Sequence, residues 1–288
     1  MGLSAPLVAA VLFAALLHAG WNALIKSGGD KPLDTALIHS LGVLFAIPAA
    51  LWFGLPGAAA WPFIAASSAI HVAYYIALAG AYRHGDLSLT YPIMRGSAPL
   101  LVALASAGFV GEPLSGTAWL GVLVISAGVL LVGLARMSTQ AATGHRGKAI
   151  GFALANAAVI ASYTVVDGMG VRAAGDPFAY AAAIFLIDGL PYAALVLWRR
   201  GPERGAALRY MRGRVPLALG GSAASLGSYA IALWAMAHAP VALVAALRET
   251  SVIFAALIGM LFLGERFGWA RALGAALVAA GVVTLRFS

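Results

Sequence analysis

Two arginines and three acids stand inside or beside long apolar runs of this chain, where a charge must have a partner or a purpose. Arg95 lies in Tyr91-Pro92-Ile93-Met94-Arg95-Gly96-Ser97-Ala98-Pro99, and Arg248 in Ala246-Leu247-Arg248-Glu249-Thr250-Ser251. Arginine does not lose its proton in proteins. An unpaired charge at the centre of a bilayer costs at least ~2.5–3.5 kcal/mol. Each guanidinium therefore faces a wet cavity, a counter-ion or backbone carbonyls. The chemistry on offer is recognition of an anionic group, a charged gate, or a tie between helices. Asp188 and Glu249 are protonatable and so are candidates for coupling to protons. Glu249 follows Arg248 directly, and helix neighbours point about 100° apart, so these two are not expected to pair. Arg248 is expected to pair with Asp188 or with a group on another helix. Asp167 is placed near a span end, within reach of headgroups.

Aromatic and polar residues recur at helical spacing around these charges. His18 and Trp21 share one run, His71 and Tyr75 another, and Tyr91 precedes Arg95 by one turn. Tyr163 stands with Asn156 and Asp167, and Ser225 with Ser222 and Tyr229. Together with Arg95 and Arg248 these make a candidate cavity wall that is aromatic, hydrogen-bonding and sparsely charged. Pro92 and Pro99 bracket Arg95, so that helix is expected to kink or break there, with Pro99, Asp188 and Glu249 as candidate gating or coupling positions. Proteins that do chemistry on bonds leave other marks. There is no Walker A sequence, no His-Glu-x-x-His and no metal-ligand spacing among the histidines. With no cysteine, thiolate catalysis and disulfides are excluded. Ser222 after Gly220-Gly221 is weak evidence of a nucleophile. No enzyme activity, cofactor or metal is expected.

The elements that must position these residues are membrane helices. The chain of 288 residues is 62% hydrophobic and 10% charged, against roughly 25% charged in a soluble domain. A span needs about 20 apolar residues, and ten runs qualify: 5–25, 34–54, 61–82, 88–110, 115–135, 148–170, 177–198, 215–236, 240–263 and 267–287. The first run reads as a retained span rather than a signal peptide. Displacing the chain by 153 positions lays Arg95 on Arg248, Gly111-Glu112 on Gly264-Glu265, Leu120-Gly121 on Leu273-Gly274 and Gly128-Val129 on Gly281-Val282. That self-similarity predicts a repeat: 1–136 as the first five-helix unit, 137–147 as a linker and 148–288 as the second unit. Five is odd, so the second copy enters the membrane from the opposite side and the repeat is inverted. The fold expected is all-α, with ten transmembrane helices as two inverted five-helix repeats around a central cavity. Gly111-Glu112 and Gly264-Glu265 read as tight hairpins, with a left-handed glycine and a glutamate favouring the next helix start. The fifth and tenth runs, almost purely Ala, Val, Leu and Gly, read as outer packing helices or a dimer face. Lysine and arginine crowd the odd-numbered loops, while the even loops and tails hold only Arg172 and Arg286. The odd loops are therefore expected in the cytoplasm and both termini outside. The net charge of +8 is explained by this topology, and nucleic acid is not an expected partner.

Ser97-Ala98-Pro99 leading to Gly111-Glu112-Pro113-Leu114, and Gly264-Glu265-Arg266-Phe267 before a Gly-rich helix, resemble the bacterial drug/metabolite transporter superfamily, EamA type. The resemblance covers nearly the whole chain. The family's helix-4 proline matches Pro99, and Val252 departs from it in the second half. The chain is also similar to the superfamily's aromatic amino-acid exporters. The resemblance implies a basket-like bundle, a central cavity between the repeats, alternating access, and residence in the bacterial inner membrane as a monomer or homodimer. The expected function is secondary export of aromatic or hydrophobic amino acids and related metabolites. The rivals are efflux of lipophilic cationic drugs and a non-transporting sensor or intramembrane enzyme.

Overall fold

Several helix starts are written into the chain by a side-chain acceptor followed by proline, which supplies a partner for an orphan backbone N–H and a pre-set φ. Ser4 caps the first helix with Pro6 behind it, Asp30 caps the second through the Leu33 N–H, and Asp176 caps a third through the Phe178 and Ala179 N–H groups. In the computed structural model, residues 3–84, 87–134, 146–263 and 268–288 are described. Among them every regular element is helical: α1 Ala5–Lys26, α2 Lys31–Phe53, α3 Trp61–His84, α4 Leu87–Ala105, α5 Gly116–Leu134, α6 Arg146–Ala173, α7 Pro177–Asp188, α8 Pro191–Arg199, α9 Arg204–His238, α10 Val241–Arg248, α11 Ser251–Leu263 and α12 Trp269–Arg286. Most of the linker expected at 137–147, and the hairpin at Gly264-Glu265-Arg266-Phe267, lie outside the described residues.

Nine stretches among the described residues are long and apolar enough to cross a bilayer. α7 with α8 forms one of them, and α10 with α11 another. α3, a helix of 24 residues, stands outside that nine. The chain is a multi-pass membrane protein. Its outer surface agrees: Leu51, Trp52, Leu55, Phe109, Phe262 and Trp269 are largely exposed, an apolar surface that water would not tolerate over such an area.

Helices adjacent in space come mostly from opposite halves of the chain. α1 lies along α9, α3 and α4 along α6, α2 along α7 and α9, and α5 along α12. Connections of like parity also gather. Between α1 and α2, Gly29 and Asp30 meet Tyr210 and Arg200 beyond α8. At the other end, Glu112 after α4 meets Arg172 at the end of α6 and the Val241 N–H that opens α10, while the Gly57 N–H bonds the Ala174 carbonyl.

The α5–α12 contact is reciprocal. A Cβ on Gly128 would sit 2.7 Å from the Gly274 carbonyl oxygen, and one on Gly274 2.8 Å from that of Gly128. Gly121 and Gly281 face each other in the same manner. The two helices thus run antiparallel with backbones nearly touching, which only small residues permit in lipid. This glycine face is an internal seam of one chain.

The break expected beside Arg95 is not found. α4 runs through Pro92 and Pro99 without a break, then passes into a π-helical turn at Ser106–Val110 that ends on left-handed Gly111. The Pro92 ring is seated where a Cβ on Gly133 of α5 would be, 2.0 Å away, so the proline serves packing. The breaks fall elsewhere, after Asp188 and at Glu249-Thr250.

Gly128→Ala should destabilise the protein by about 1–3 kcal/mol through overpacking of the seam. Gly220→Ala, at an exposed α9 glycine with nothing within 4 Å of the added Cβ, should be neutral or stabilising by up to ~1 kcal/mol. Thermal unfolding in detergent measures both, and equal effects would contradict the seam.

Candidate functional site

Arg95 of α4 and Glu249 at the end of α10 meet across the two halves, with Nε and Oε2 3.0 Å apart. Both side chains are largely buried, at 13% and 6% exposure. The Arg95 guanidinium also reaches Ser251 Oγ at 3.5 Å. Charge holds the pair rather than aligned hydrogen bonds: Arg95 Nε and Glu249 Oε2 are buried and have no hydrogen-bond partner of good geometry among the described residues. A partly satisfied network of this kind is costly to keep.

The backbone explains why Arg248 and Glu249 stand together. α10 stops at Arg248 and α11 starts at Ser251, and the turn between them uses i to i+3 bonds, from the Glu249 N–H to the Ala246 carbonyl and from the Thr250 N–H to that of Leu247. A cation is favoured at a helix C-terminus and an anion at an N-terminus. Arg248 closes α10 and Glu249 precedes α11, so the charge order suits the break. Glu249 then answers a guanidinium from α4, and Arg248 turns to a different partner. Its guanidinium carbon lies 5.4 Å from the centroid of the Tyr229 ring, a cation–π distance. Among the described residues Arg248 makes no ion pair; of the two partners expected for it, Asp188 is with His71 instead, and the group on another helix is the Tyr229 ring of α9.

Asp188, at the end of α7, is 2.9 Å from His71 Nδ1 on α3. The His71 ring lies 4.7 Å from that of Tyr163, and Tyr163 lines a small pocket with Arg95, Pro99, Thr164, Arg248 and Glu249. The free space there holds about one water molecule. The ion pair and the rings fill the centre, and the pocket is contracted rather than an open hollow.

Asp167 is the residue that sequence reasoning misplaced. It is 1% exposed and accepts hydrogen bonds from the hydroxyls of Tyr180, at 2.9 Å, and Tyr229. The span expected to end at 170 continues to Ala173, so Asp167 lies deeper than a headgroup anchor. Its helical spacing to Tyr163 was the signal.

The remaining expected wall residues separate. His18 and Trp21 begin a string of edge-on rings that continues through His39 to Tyr192, at centroid distances of 5.2, 6.1 and 6.5 Å. Ser225 is buried in α9, and Tyr91 is 37% exposed; neither lines the pocket. The side chain of Tyr75 lies outside the described residues. Ser222 donates its hydroxyl to the Ile38 and Ala218 carbonyls, which is packing chemistry rather than that of a nucleophile. Glu112 bonds the Val241 N–H that opens α10 in the other half and pairs with Arg172 at 2.6 Å, while Ser115 caps α5 through the Ala118 N–H. The hairpin glutamate thus serves a helix start other than the next one. No group of three or more potential metal ligands occurs among the described residues.

Residues 147–287 match the family model described as the EamA-like transporter family. No curated protein matches the chain. A solved structure, titled only as the crystal structure of a protein, superposes with a TM-score of 0.74 over 96% of this chain and 95% of that one, at 21% identity. That likeness shows the fold.

Arg95→Ala should leave Glu249 buried without its counter-charge and cost about 3–5 kcal/mol. Replacing both partners by apolar residues, as Arg95→Met with Glu249→Leu, should recover most of that loss. A double-mutant cycle of thermal unfolding in detergent checks this, and additive losses would show that the two groups do not interact.

Proposed function

The chain belongs to the drug/metabolite transporter superfamily through its EamA-like domain, and from that premise we propose that it is a secondary carrier exporting aromatic or hydrophobic amino acids and related metabolites by alternating access. The carrying observation is the division of charge at the centre. Arg95 and Glu249 neutralise each other, while Arg248 faces the same pocket with only a tyrosine ring as a described partner. A substrate carboxylate is the natural occupant of that guanidinium. Tyr163, Pro99, Ala98 and Val102 offer an apolar and aromatic wall beside it. One spare cation suits a zwitterion, whereas a phosphosugar would call for several.

The reading includes ten spans, with α3 as the tenth, arranged as two inverted five-helix repeats. Its supports are the antiparallel glycine seam, whose contacts exchange positions 153 apart, the interleaving of the halves, and the gathering of even connections at one end and odd ones at the other. In this arrangement the arginine-rich odd loops face the cytoplasm of a bacterial inner membrane and the termini face outward. Broken helices at the centre of the bundle, after Asp188 and at Glu249-Thr250, fit the way such carriers build midplane sites. Rocking of one half against the other would expose the pocket to each side in turn, opening the space that is contracted here. The observations disfavour export of cationic drugs: Glu249 is committed to Arg95 and Asp188 to His71, so neither acid stands open to a cation.

Vesicles reconstituted with the protein should exchange labelled aromatic amino acids, and control vesicles should not. Arg248→Ala should weaken apparent substrate affinity at least roughly tenfold, the loss of one charge-assisted hydrogen bond, with Arg248→Lys intermediate. Absence of flux with every amino acid tried would overturn the substrate assignment.

A further inference from the structure

We infer that Asp167 is a proton-binding site of the membrane interior, read out in the pocket through Tyr229. Each of the other two acids at the centre has a basic side chain at about salt-bridge distance, Glu249 with Arg95 and Asp188 with His71. Asp167 is different. It is 1% exposed, its carboxyl oxygens accept from two phenols, Tyr180 on α7 and Tyr229 on α9, and the Ser67 hydroxyl of α3 stands beside it as a further neutral group. A buried carboxylate without a contacting cation carries a heavy desolvation cost, and a proton is the smallest ligand that relieves it. The site is built rather than incidental. Tyr180 is 0% exposed, and Gly170 leaves room for its hydroxyl, since a Cβ there would lie 2.4 Å from that oxygen.

The charged and titratable groups around Asp167 come from several packed elements, and Arg95 of α4 faces Tyr163 on the same helix as Asp167. Tyr180 approaches from α7, Tyr229 from α9, and His71 from α3 with Asp188 behind it. Tyr163 stands one turn earlier on α6 itself, and Arg248 of α10 lies beyond the Tyr229 ring. Tyr229 is the connecting part. Its hydroxyl is bound to Asp167 and its face carries the Arg248 guanidinium. When Asp167 is ionised it accepts from both phenols and holds the Tyr229 ring against Arg248. When Oδ2 takes a proton it becomes a donor and a poorer acceptor, so the bond from the Tyr229 hydroxyl weakens and the grip on that ring loosens, while Oδ1 still accepts from Tyr180. The proton and any anion on Arg248 thus meet at the two ends of one side chain. Proton binding at Asp167 stands independently of the substrate; its consequence for transport rests on the carrier reading above.

Infrared difference spectroscopy of the whole protein in lipid nanodiscs, titrated with acid and base and without substrate, tests the site. A carbonyl stretch from a protonated carboxyl should appear and vanish reversibly with pH and be lost in Asp167→Asn. Tyr229→Phe and Tyr180→Phe each remove one donor and should shift the frequency of that band while preserving it, which keeps the test open if Asp167→Asn fails to fold. An unchanged band in folded Asp167→Asn would assign the proton to Glu249 or Asp188 and overturn the proposal. So would the same frequency in wild type and both phenylalanine variants. Because no substrate is added, failure of the amino-acid assignment leaves this result unaffected.

Discussion

A guanidinium held within a bilayer needs a partner or a wet space, and a helix does not readily answer its own arginine from the adjacent position. In this chain the answer to Arg95 comes from Glu249, in the opposite half. The requirement shapes what surrounds it. It brings α4 against α10, places the α10–α11 break at the contact, and leaves Arg248 directed to Tyr229. A buried pair of this kind adds little to stability in net terms, because the desolvation of both ions offsets their attraction. Its value lies in specifying which helices meet and in leaving a charged centre that a ligand can perturb.

The scaffold allows such a centre by closing its outside without polar groups. α5 and α12 touch through glycines at Gly121, Gly128, Gly274 and Gly281, so van der Waals contact between backbones joins the two halves of the chain. The polar residues are concentrated within. Ends of the bundle are tied by ion pairs drawn from distant parts of the chain: Asp30 with Arg200 and Asp34 with Arg214 at one, Glu112 with Arg172 at the other. Motion of one half against the other would have to loosen these ties in turn, while the glycine seam can serve as the fixed side.

Much of this was legible in the amino-acid order. Apolar run length located most of the helices to within a few residues, although α9 starts at Arg204 rather than near 215 and two runs are each broken in two, and the displacement by 153 matched the glycines that form the seam, because helix length and close packing depend on local composition. Less legible were the partners. Nothing in the spacing of Arg95 says that Glu249, rather than Asp188, lies across from it; that is decided by how the halves interleave. The helix break was expected at Pro92 and Pro99, yet a proline removes only one donor, and the Pro92 ring found a seat on Gly133. The break came instead at Arg248-Glu249, where charge order and helix dipoles agree without a proline. Asp167 was misplaced because helix ends are the least determined feature of an apolar run, and three further residues of α6 carry it into the interior.

In a carrier, the space around Arg95, Arg248 and Glu249 must reach water from both sides of the membrane at different times. Ala245 lines that space and the chain has no cysteine of its own, so Ala245→Cys gives one reporter. Labelling it with a membrane-impermeant thiol reagent, from each face in turn and with or without amino acid present, is the most direct measurement. Reaction from both faces, with the balance between them shifted by substrate, is the result expected of a carrier. Reaction from one face only, or from neither under any condition, would contradict it.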